Sequence, residues 1–152
     1  MTSDGPSVAA LVVAEDDEGT AVILIDVIRV GSSGYDHLKG VKRRVIPLNG
    51  AEGSRARDRS GQLRFRNKRA EWHWKFREAL DPVTGDDIVL PPDRELRADL
   101  IAPHWKLTTQ GIAIEEKDEI KARLGRSPDS GEAVIYAYAD EPGPRRFAPV
   151  GT

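Results

Sequence analysis

Three carboxylates in this chain are placed to do chemistry: Asp26, Asp129 and Glu132. Asp26 ends the run Ala21-Val22-Ile23-Leu24-Ile25, rich in β-branched residues. A short apolar run bounded by turn signals reads as a strand buried on both faces. An acid at the carboxyl end of such a strand lies where open α/β sheets place their ligands. The same acid can instead serve as an acceptor for loop amides. Asp129 and Glu132 fall on the first turn of a helix expected over 129–139, and residues three apart share a helix face. Helix N-termini favour carboxylates, and Ser127-Pro128-Asp129 also reads as a helix cap. Glu132 sits further in, ahead of Ala133-Val134-Ile135, and does not reduce to a cap. The chain has no cysteine, and His37, His73 and His104 show no metal-ligand spacing. A metal held here would therefore have carboxylate ligands, which suits Mg²⁺ or Mn²⁺.

The second chemical signal is positive charge. The net charge of −2 hides a segregation. Residues 1–38 carry seven acids and one base, 39–77 carry thirteen bases and three acids, and 78–152 carry nine bases and fifteen acids. A basic block between acidic flanks is the footprint of a polyanion-binding face or of a solvated loop. The densest part is Arg55, Arg57, Arg59, Arg64, Arg66 and Lys68.

These groups need a scaffold, and 152 residues suffice for one domain with a buried core. No window approaches the roughly 18 apolar residues of a membrane span, and no basic-then-apolar leader marks secretion. Absence of cysteine excludes disulfides and fits a cytosolic protein. Helices are expected over 6–14, 35–39, 67–80, 93–101, 117–124 and 129–139, and strands at 21–25 and 43–48. A hairpin is expected at 105–108 and 112–115, joined around Gln110-Gly111. The strand–helix–strand unit over 21–48, with its turn at Gly31 to Gly34, implies parallel pairing. Residues 49–62 lack periodicity and read as a long surface loop. Trp72 and Trp74 read as core anchors. Residues 1–140 form the expected domain and 141–152 a loose tail. No GxxxxGK[ST], GxSxG, HExxH or GxGxxG pattern is present, which removes a complete ATPase, a serine hydrolase, a zinc protease and a dinucleotide enzyme.

Several segments in order resemble the C-terminal nuclease domain of the large subunit of phage DNA-packaging terminases. They are Ile25-Asp26-Val27-Ile28 with Gly31 and Gly34-Tyr35-Asp36-His37-Leu38, Asn67-Lys68-Arg69-Ala70-Glu71 through Phe76-Arg77-Glu78-Ala79-Leu80, 96–107, 112–121, and Gly125-Arg126-Ser127-Pro128-Asp129. The resemblance implies a ribonuclease-H-like α/β fold, a mixed sheet flanked by helices, whose acids cluster on two Mg²⁺ or Mn²⁺ ions to hydrolyse DNA. It places Asp26 on the family's second acid. Glu132 falls where the family usually has an aspartate, and Asp129 is an auxiliary ligand or a cap. Arg55, Arg57, Arg59, Arg64, Arg66 and Lys68 would follow phosphates of double-stranded DNA. Other terminase or portal subunits would be partners, in a host cytoplasm.

The family's first acid lies on a strand upstream of the helix expected at 6–14. The resemblance thus implies a domain lacking its first strands and one acid, with reduced catalytic competence and an exposed sheet edge. A catalytically inactive DNA- or partner-binding module is the alternative from another class, and a poorly folding remnant a third.

Overall fold

The computed structural model describes residues 5–16, 18–28, 32–41 and 44–139 of the chain. The expected frayed start, Gly31 of the first turn and the tail 141–152 lie outside them. The order is α1 (Gly5–Glu15), β1 (Val22–Asp26), α2 (Ser32–Gly40), β2 (Arg44–Leu48), α3 (Lys68–Ala79) and α4 (Arg94–Ile101). Then come β3 (Trp105–Thr108), β4 (Gly111–Ile114), α5 (Lys117–Leu124) and α6 (Asp129–Tyr138). Every expected element is present with shifts of a few residues at its ends. The largest shift is in α2, which begins at Ser32 and takes in Gly34.

β1 and β2 run parallel, from Val22 beside Arg44 to Asp26 beside Leu48. Side chains alternate across a strand, and here both faces are covered. Ile23, Ile25 and Val45 pack against Ala9, Val12 and Val13 of α1 and Leu38 of α2. Leu24, Ile46 and Leu48 pack against Trp72 and Phe76 of α3 and Ile135 of α6. The layers are thus α1/α2, a parallel ribbon, and α3/α6. The same alternation puts Asp26 on the Leu24 face, toward α3 and α6.

β3 and β4 form the expected antiparallel hairpin. Residues 49–66 depart from expectation. They are not a featureless loop but an arm with its own pairing: Arg57 bridges Arg64 antiparallel, and Phe65 bridges Ile112 of β4. Asp58 builds the tip, accepting from Leu63 N and, through its carbonyl, from Gly61 N. Gly61 has φ 76°, a left-handed conformation that favours glycine. Phe65, Ala70, Trp74 and Ile112 then form a second core beneath the arm. Periodicity missed the arm because its order comes from one carboxylate and one buried phenylalanine.

Asn67 caps α3 by accepting from Ala70 N, Asp93 caps α4 by accepting from Leu96 N, and Gly125 ends α5 with φ 74°. Trp72 and Trp74 are core residues, as expected.

Candidate functional site

The carboxyl ends of β1 and β2 meet the starts of α3, α5 and α6. Main-chain bonds fix the junction. Val27 N donates to Leu48 O at 3.1 Å, Arg69 N to Gly50 O at 3.0 Å, and Lys68 N to Glu52 O at 2.8 Å. A Cβ on Gly50 would stand 3.1 Å from the Arg69 Cβ, so a side chain there would press on the start of α3.

Glu132 is 6% exposed and lies at the centre of the junction. Arg69 of α3 reaches its Oε1 at 3.3 Å, and Lys117 of α5 bonds its Oε2. Lys117 also holds Asp129 Oδ1 at 2.8 Å, and Arg69 donates to the Glu115 carbonyl at 2.7 Å. One carboxylate, two cations and the starts of three helices are thereby tied into one network. Burial would pull the Lys117 ammonium down, but its bonds to Asp129 and Glu132 outweigh that and hold it above the ordinary lysine value.

Asp26 comes to the same place from the sheet. One of its oxygens accepts from Ile28 N at 3.0 Å, so the acceptor reading of this acid is real. It is also not the whole of it. Tyr136 lies one helical turn beyond Glu132, on the same face of α6. Burial, then the charges of Glu132 and Asp26, push its phenol above the ordinary tyrosine value, with Arg69 acting the other way. Two carboxylates 106 positions apart in the chain thus act on one phenol.

Asp129 differs from the cap reading. Pro128 occupies the cap position, and no side-chain cap bond forms there. The Gly131 N–H is instead taken by Asp99 of α4 at 3.1 Å. Arg126 reaches the other oxygen of Asp99 at 2.6 Å. Asp129 is 74% exposed at the mouth of the site, accepting from Ser127 Oγ and Lys117.

The expected basic set divides. Arg57 bonds the Gly61 and Gln62 carbonyls of its own turn. Arg59 clasps the Glu78 carbonyl in the last turn of α3 and Thr84 Oγ1 beyond its far end. Glu78 is nine residues after Arg69, a rise of about 13 Å along α3. Lys68 pairs with the buried Glu71 at 3.3 Å. Arg55, Arg64 and Arg66 are exposed and, among the described residues, have no side-chain partner.

Lys117, Arg69, Tyr136 and Asp99 are the members that sequence reasoning missed. Tyr136 was reachable, being four residues after Glu132. The others act across 15 to 63 positions, where a single sequence carries no spacing signal.

Among the described residues, no group of three or more Asp, Glu, His or Cys is gathered as a complete metal cage. Carboxylates are the donors a hard divalent ion takes, but here both oxygens of Glu132 are held by Arg69 and Lys117 and one oxygen of Asp26 by the Ile28 amide.

No protein-family profile matches the chain, and no curated protein matches it. Among solved structures, the nuclease domain of the large terminase subunit gp2 of bacterial virus Sf6 is similar. It is 21% identical with a TM-score of 0.67, over 90% of this chain and 73% of that one. A point mutant of that domain, solved with manganese and β-thujaplicinol, is 19% identical with a TM-score of 0.67, over 91% and 73%. The fold is thus that of a terminase nuclease domain, the ribonuclease-H-like α/β class expected from the sequence. Among the described residues, no helix is long and apolar enough to cross a membrane.

Proposed function

We propose that this chain is a nuclease of the phage or prophage DNA-packaging machinery, cutting double-stranded DNA with Mg²⁺ or Mn²⁺. The likeness of fold to a terminase nuclease domain carries this reading, supported by Asp26 at the carboxyl end of β1 and the buried Glu132 on the first turn of α6. Asp26 and Glu132 would hold the metal, with Asp129 from the mouth. A bound divalent ion activates water and stabilises the leaving oxygen of a phosphodiester.

The chain's own residues do the rest. Arg69 and Lys117 fix Glu132 in one orientation and offset its buried charge, since an unpaired buried carboxylate is costly. Arg55, Arg64 and Arg66 offer uncommitted cations to DNA phosphates, which position a duplex without reading its sequence. Arg64 stands opposite Arg57 on the arm, and like charges opposite each other destabilise a pair. A phosphate beside them relieves that repulsion. Arg57, Arg59 and Lys68 serve the fold first. Other terminase or portal subunits are the expected protein partners.

The second reading is a catalytically inactive DNA- or partner-binding module. It is favoured by Lys117, whose ammonium already bridges Asp129 and Glu132. Supercoiled-plasmid nicking in Mn²⁺ separates the two readings. Nicking by the chain that disappears with chelator and in Asp26→Asn supports the nuclease. Salt-sensitive plasmid binding with no nicking in either metal supports the binding module.

A further inference from the structure

At the other end of α3 lies a cavity of about 340 Å³. Arg57 and Arg59 of the arm, Trp72, Lys75, Glu78 and Tyr138 supply most of its wall, with Asp86 at one side. Three cations face two acids, and the acids are engaged. Asp86 accepts from the Tyr138 hydroxyl, and Glu78 Oε1 accepts from Arg59 N and Trp74 Nε1, each at 2.9 Å. The cations keep donors in reserve. Arg57 uses one guanidinium nitrogen, Arg59 two, and Lys75 one contact to Glu71 at 3.1 Å. A guanidinium carries five N–H groups and an ammonium three.

A lining residue, Trp72, also carries a buried donor. Trp72 is 2% exposed, and among the described residues its Nε1 has no hydrogen-bond partner. Buried N–H groups are nearly always satisfied. The six-membered ring of this indole lies against Gly50, where a Cβ would be 3.7 Å from Cζ3.

We propose that this cavity binds a phosphate monoester, through Arg57, Arg59 and Lys75. Several positive donors around a small space match an oxygen-rich anion. The cavity is separate from the carboxylate site, so the assignment stands whether or not the chain cuts DNA.

The test is calorimetric titration of the full chain with inorganic phosphate. Binding is expected near about 1 mM and at least about fivefold weaker in Lys75→Gln and in Arg57→Gln. Lys75→Gln leaves the buried Glu71 with Ser54 and Lys68, so it keeps the fold, and circular dichroism checks both variants. Arg97→Gln, a charge removed from exposed α4, leaves the affinity unchanged. No heat with wild type up to about 10 mM, or equal affinity in all three variants, overturns the proposal. Two further ligands identify the source of the phosphate. Preference for a 5′-phosphorylated oligodeoxynucleotide over its 5′-hydroxyl twin assigns a strand end. Preference for a mononucleotide over both assigns a free metabolite.

Discussion

The two ends of α3 are equally crowded with charge and use it differently. At the amino-terminal end, Arg69 is linked through Glu132 to Lys117 and Asp129, with Asp26 arriving from β1, so the group draws on three other stretches of the chain. The network surrounds one buried carboxylate. At the carboxyl-terminal end, Arg59 and Glu78 fasten the arm to the helix through main-chain groups as well as side chains. The first arrangement is built around a group that water cannot reach, and the second around a loop that needs holding. The amino-terminal charges chiefly meet each other around Glu132, whereas Arg59 and Glu78 chiefly hold main-chain groups of the helix and the arm.

Breaking the amino-terminal network should cost most. Lys117→Met leaves Glu132, with its side chain 7% exposed, on Arg69 alone. Loss of about 3 kcal/mol is expected by urea denaturation, because removing one partner strands a buried charge. A loss under about 0.5 kcal/mol would make the network a surface pair. Next comes Gly131→Ala, whose Cβ would stand 2.6 Å from Asp99 Cβ. Moving α6 off α4 should cost about 2 kcal/mol and lower Tm, with Ser at the same position no better.

His73, on the middle of α3, is sharpened by pH. Burial and then the Arg69 charge lower its pKa from 6.5 to about 3. Its contribution is therefore present above pH 6.5 and is lost as pH falls toward 3, with a slope of about 1.4 kcal/mol per pH unit. His73→Gln should flatten that limb, measured as urea midpoints between pH 7 and 4. The smallest effect belongs to the clasp. Arg59→Ala should change global stability by about 1 kcal/mol or less while amide exchange over residues 57–64 speeds up. Equal loss of protection across α3 would mean that the clasp supports the core as well.

Much of this was legible from the residues. The strand before Asp26 announced itself by β-branching and a closing acid, and α3 by Asn67 at its start and Asp81-Pro82 beyond its end. The resemblance carried the fold class. Hidden was everything set by distance across the chain. Arg59 looks as free as Arg64 in a list of basic residues, and only its neighbours Thr84 and Glu78 distinguish them. Ser-Pro-Asp reads as a cap, yet Asp99 reaches from another helix to take the amide. Lys117 stands in an acidic run, Glu115-Glu116-Lys117-Asp118-Glu119, that suggests a solvated helix start. Its burial between two acids follows from α6 lying alongside.

The claim that Asp26 and Glu132 form one site is tested most directly by a double-mutant cycle on Mn²⁺-dependent plasmid nicking. Asp26→Asn, Glu132→Gln and the double variant are compared with the unaltered chain, all checked for folding. Joint action predicts that each single change lowers the rate by at least about a hundredfold and that the double change is little worse than either. Independent, multiplying losses, or a single variant that cuts at the original rate, would contradict it.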